Sequence, residues 1–208
     1  MNRFLFAFCL FTFATFGLIL SGPGAAQAAP FEKLPGAKGK TSPLLMRVVK
    51  YRGDTNGAIT IDVKNPTDED QEFTAKGIYF VPQGPANEAP QRLGAVGPFQ
   101  MQTSEGSKRL RTTTIAAGAT ERMTLDVYCI DSHRASPSSS TNFHVAKSRT
   151  PEELANDIDA AAERSAARYG GVSASAAKPS VQSEVWRNRD KKWIKLEGEG
   201  SQEIGKRK

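Results

Sequence analysis

Hydrophobic and polar positions alternate most cleanly from Met123 to Asp131, where Met123, Leu125, Val127 and Cys129 are separated by Thr124, Asp126 and Tyr128. A period of two marks a strand with one face on a core and the other in water. The pattern therefore predicts a strand with Cys129 facing inward. Ala58 to Asn65 repeats it, with Ile59, Ile61 and Val63 set between Thr60, Asp62 and Lys64, and ends at the turn Asn65-Pro66-Thr67-Asp68. Leu44 to Tyr51 and Phe73 to Val81 read as further strands, the latter lying beside Ala58 to Asn65 and with Gly77 as a bulge. The Thr-rich stretch Lys108 to Ile115 is expected to pair with Met123 to Asp131 through Ala116-Ala117-Gly118-Ala119. Pro82 to Ser107 is rich in Gly, Pro, Gln and Asn, and reads as a long loop pinned by Leu93, Val96 and Phe99.

The period changes after His133. A Ser/Pro linker at Ala135 to Ser140 precedes Thr150-Pro151-Glu152-Glu153, which offers an N-cap, a proline at the first helical position and a capping-box glutamate. Leu154, Ile158, Ala161, Ala162 and Ala166 follow at helical spacing, Glu153 and Asp157 mark a solvated face, and Gly170-Gly171 is the stop. Val172 to Pro179 reads as a flexible connection, Ser180 to Trp186 as a short helix or turn, and Lys192 to Leu196 as a strand around Trp193. The fold class expected is mainly β, an immunoglobulin-like antiparallel β-sandwich followed by a small α-helical C-terminal element. An antibody-type domain is excluded, because the strand-rich part holds one cysteine and no tryptophan.

Arg3, the apolar run Phe4 to Leu20 and the small-residue site Ala26-Gln27-Ala28 read as a secretory signal over residues 1–28. The expected organisation continues as a flexible lead-in at 29–43, the sandwich at 44–133, the helical element at 134–197 and a disordered basic tail at 198–208. Cleavage after Ala28 removes Cys9 and leaves Cys129, so the mature chain is expected to hold no internal disulfide. No membrane span is expected after cleavage.

The formal net charge of +6 favours an acidic envelope polymer as partner. Nucleic acid is excluded for want of a basic stripe interleaved with aromatics. There is no phosphate-binding glycine loop, serine elbow or metal-ligand repeat, so neither a cofactor nor a metal is expected, and the chain is not read as an enzyme. Arg52-Gly53-Asp54 spells an integrin-type tripeptide but reads as a turn.

Two distant pieces carry the sharpest candidate chemistry: Tyr128-Cys129-Ile130-Asp131, with a Ser/Pro segment containing Pro137 after it, and Val181-Gln182-Ser183-Glu184-Val185-Trp186. They resemble the paired motifs of the thioester domains of bacterial surface proteins, with Glu184 standing where that family has alanine. The resemblance implies an internal thioester between Cys129 and Gln182, shielded by Tyr128 and Trp186. It also implies capture of an amine, from a protein or a polyamine, by an exported adhesion module. The chemistry suits these residues: the thiolate attacks the carboxamide carbon, ammonia leaves, and a later nucleophile opens the acyl-sulfur bond. Two other readings stand beside it. One is a noncovalent envelope-associated accessory protein with Cys129 as a buried structural residue. The other is a cysteine hydrolase or transferase using Cys129 with His133 or His144, or a three-ligand metal site made of Cys129, His133 and His144.

Overall fold

The computed structural model describes residues 29–37, 40–53, 56–192 and 194–199. The signal segment, Asp54 of the Arg-Gly-Asp turn, Trp193 and the tail from 200 onward lie outside the described residues. In chain order the strands are β1 (Glu32–Pro35), β2 (Thr41–Arg52), β3 (Ala58–Lys64), β4 (Gln71–Thr74), β5 (Tyr79–Pro82) and β6 (Leu93–Ala95). They continue as β7 (Phe99–Thr103), β8 (Gly106–Leu110), β9 (Thr112–Ile115), β10 (Thr120–Cys129) and β11 (Phe143–Val145), and the helices α1 (Glu152–Ala166) and α2 (Lys178–Lys191) close the chain order. The architecture is mainly β and sandwich-like, with two C-terminal helices.

Strand β10 is the frame. Along one edge it runs antiparallel to β3, from Thr120 opposite Lys64 to Asp126 opposite Ala58, and β2 and β1 extend the sheet beyond β3. Its other edge is divided: Met123 and Thr124 meet β7, which pairs with β8, while Val127 to Cys129 meet β6, followed by β5 and β11. Strands β4 and β9 form a separate pair. Edge-to-face ring contacts join distant strands, Tyr51 to Phe143 at 5.1 Å and Phe73 to Phe99 at 5.3 Å. Such aromatic pairs close an apolar core with defined geometry.

The alternation in β10 feeds two cores. Met123, Leu125, Val127 and Cys129 join Leu44, Met46, Ile59, Ile61 and Val63 inside the sandwich. Tyr128 and Ile130 point the other way, into a second core with Tyr79, Val96, Leu154, Ile158, Val181 and Val185. The outer face at the end of β10 is therefore covered by helices, where period-two alternation alone predicts water. Gly94 lets this layer close: a Cβ there would lie 2.9 Å from Ile130 Cγ2.

Several local expectations are corrected. The lead-in is structured, because Leu34 is buried in the sandwich core and β1 pairs with β2. Phe73 to Val81 is two strands in different sheets, β4 and β5, separated by a turn in which Gly77 has φ +75°. Neither lies beside β3, whose partners are β2 and β10. The long loop holds β6 and β7, and its islands Leu93, Val96 and Phe99 are core residues. Lys108 to Ile115 breaks into β8 and β9, which pair with β7 and β4; neither pairs with β10, whose partners are β3, β6 and β7. Helix α1 starts without a side-chain cap; Thr150 Oγ1 instead donates to Gly77 O at 3.3 Å. Ser180 to Trp186 belongs to the longer α2, and Ile194 to Leu196 is irregular.

Candidate functional site at the end of β10

Beyond Asp126 strand β3 runs out. Val127 N–H still donates to Gly57 O at 3.1 Å, but the next groups on that edge, the N–H and C=O of Cys129, have no strand residue opposite them in β3. Buried backbone groups left in that state are costly. Gln182 of α2 fills the gap. Its Oε1 accepts from Cys129 N at 3.0 Å and its Nε2 donates to Cys129 O at 2.7 Å, so the carboxamide continues the ladder as a strand residue would. Gln182 is 3 % exposed and Cys129 is fully buried.

The structure thus brings Cys129 and Gln182 together across 53 positions of sequence. It separates the two aromatic residues. Tyr128 faces the helical core, on the side of β10 opposite the Cys129 side chain, and its hydroxyl donates to Val172 O at 3.0 Å. Burial pushes its phenol well above the usual range. Trp186 packs half-buried against the sandwich core and donates Nε1–H to Gln91 Oε1 at 3.1 Å. The proposed pair of shielding aromatics is not assembled on one face of β10.

The two histidines stand on different elements. His133 is exposed in the turn after β10, and His144 lies on β11, three strands away across β6 and β5, with Nε2 3.5 Å from Glu197 Oε1. Among the described residues no group of His, Cys, Asp and Glu side chains could hold a metal.

Next to the site lies an ion pair that sequence reasoning missed. Asp131 accepts from Arg92 Nε at 2.7 Å, from Arg92 Nη2 at 2.5 Å and from the Arg92 backbone N–H at 3.0 Å, and both side chains are fully buried. Burial alone would raise the Asp131 carboxyl, but the hydrogen bonds and charge of Arg92 outweigh it and hold the group below the usual carboxylate range. Arg92 Nη1 also donates to Glu197 O at 2.9 Å, and Arg189, lowered by its own burial, donates from Nη2 to Ile194 O at 2.9 Å. These arginines fasten the C-terminal segment over β5 and β6. The only sequence signal was a polar residue following the strand at Asp131, with its partner hidden in a Pro/Gln-rich stretch.

No family model matches the chain, and neither a curated protein nor a solved structure matches it.

Proposed function

We propose that the protein is an exported, envelope-associated binding module that holds an acidic polymer noncovalently on an immunoglobulin-like sandwich, with Cys129 as a structural core residue. The observation that carries this reading is the commitment of the Gln182 carboxamide, at both of its polar ends, to the main chain of Cys129. Converting that amide to an acyl-sulfur bond would expel Nε2 as ammonia and leave the buried Cys129 carbonyl without its donor. Burial of Gln182, only 3 % exposed, also withholds its acyl carbon from an incoming amine. The net charge of +6 supplies the attraction to an acidic partner.

The thioester reading keeps one specific support from the same geometry. Cys129 N–H donates to Gln182 Oε1, where it would stabilise the oxyanion formed when Sγ attacks the carboxamide carbon. In that step the S–C bond forms, the C–N bond breaks and Nε2 departs with the thiol proton as ammonia. Polygalacturonate binding at low and high salt tests the leading reading. Reversible, salt-sensitive binding that survives Cys129→Ala supports it; binding that disappears in Cys129→Ala, or an adduct that salt does not release, contradicts it.

A further inference from the structure

Arg149 sits just before α1, where three separate chain segments meet. Its Nε donates to Pro35 O at 2.9 Å, and its Nη1 donates to Thr74 O at 2.9 Å and to Lys76 O at 2.5 Å. All three partners are neutral carbonyls, and among the described residues no carboxylate pairs with this guanidinium. Burial, with no opposing charge, lowers it to about 10. A cation desolvated without a counter-charge is unfavourable by itself and gains most from an arriving anion. The side chain lines a cleft of about 520 Å³, and Lys40, Lys76 and Lys147 line the same cleft with their side chains exposed. A second cleft of about 830 Å³ shares Lys40 and Lys147 and adds Lys33, with Glu32 and His144 also in its lining, so exposed lysines continue past the first. Exposed Glu72 and Glu152 also stand on the first cleft. They repel a dense polyanion more than one whose charges are spaced.

We propose that this double cleft, with Arg149 in its lining and Lys40, Lys76 and Lys147 around it, is the site that takes the spaced carboxylates of an acidic polysaccharide. The inference rests on the noncovalent reading above and gives it a location. Lys147 N–H donates to Glu197 Oε2 at 2.6 Å, so the fastened C-terminal segment fixes one wall.

The test is isothermal titration of the mature protein with polygalacturonate, comparing Lys40→Gln/Lys76→Gln/Lys147→Gln with Lys50→Gln/Lys108→Gln/Lys191→Gln. Both triples remove the same charge from exposed positions. The cleft triple is expected to weaken binding at least about tenfold and the control triple less than about twofold, since local charge acts within a Debye length. Equal weakening overturns the site and leaves polymer binding standing as a diffuse effect. Failure of the unaltered protein to bind polygalacturonate overturns the noncovalent function instead. The cleft is then judged by inorganic phosphate, titrated while the Arg149 Nε–H and Lys147 amide resonances are followed; absence of a saturable shift in either overturns the site as well. Polyphosphate run in parallel is expected to bind more weakly than polygalacturonate, and tighter binding contradicts the assignment to spaced carboxylates.

Discussion

Gln182 is a polar side chain in an apolar place, and it is tolerated because both halves of its amide replace strand contacts that β3 cannot make. Gln182→Ala leaves the N–H and C=O of Cys129 buried without these partners, and should cost about 3 kcal/mol in urea unfolding. A loss below about 1 kcal/mol would show that water replaces the amide easily. The Asp131 carboxyl makes a second residue-scale prediction. Its folded form releases the proton at lower pH than the unfolded chain does, so its stabilisation is complete above the ordinary carboxylate range, about pH 4, and is lost as pH falls toward the depressed value. Asp62, held low first by the hydrogen bond from Arg122, acts in the same direction. Asp159, raised by burial, acts in the opposite one, its contribution fading as pH rises through its folded value. Melting temperatures measured from about pH 7 to about pH 3 should fall steeply for the unaltered protein. Asp131→Asn should be less stable by about 3 kcal/mol near neutral pH, and its melting temperature should fall less steeply; parallel curves would remove Asp131 from the acid transition. The inward placement of Cys129 was legible because a strand's period is two. The Arg92 partner of Asp131 was not, because a buried ion pair leaves no periodic trace in sequence.

Elements with long patterns were readable and short ones were not. The residues of α1 expected on its buried face, Leu154, Ile158, Ala161, Ala162 and Ala166, are all buried. Strands β6 and β11 have three residues each, too few for alternation to declare itself, and pairing across the sheet is what makes them strands. The helical cover over the end of β10 hid in the same way, since Tyr128 presents a polar hydroxyl on an apolar ring and satisfies it at Val172 O. Gly94 tests how tightly that cover sits. Gly94→Ala places a methyl against Ile130 Cγ2 and should destabilise by about 1–3 kcal/mol, with part of the loss recovered in Gly94→Ala/Ile130→Val. Additive losses in the double variant, read from urea midpoints, would mean that the two positions do not press on one another.

At the scale of the molecule, a sandwich core and a helical core share β10, and the C-terminal segment is strapped down by Arg92, Arg134 and Arg189 through the carbonyls of Glu197, Gly198 and Ile194. This strap and the segment 147–152 shape the groove in which exposed lysines surround Arg149. The net charge of +6 is legible in the sequence, while the gathering of Lys40, Lys76 and Lys147 around Arg149 is a tertiary arrangement that sequence spacing does not encode. Binding by that groove needs no covalent chemistry, and the Cys129 and Gln182 pair is then part of the scaffold. The most direct test is the intact mass of freshly purified mature protein, with and without methylamine. A mass equal to that of the sequence, unchanged by methylamine, with a thiol that alkylates only after unfolding, is the result expected. A species lighter by one ammonia, which takes up methylamine and disappears in Gln182→Ala, would contradict it and establish the thioester.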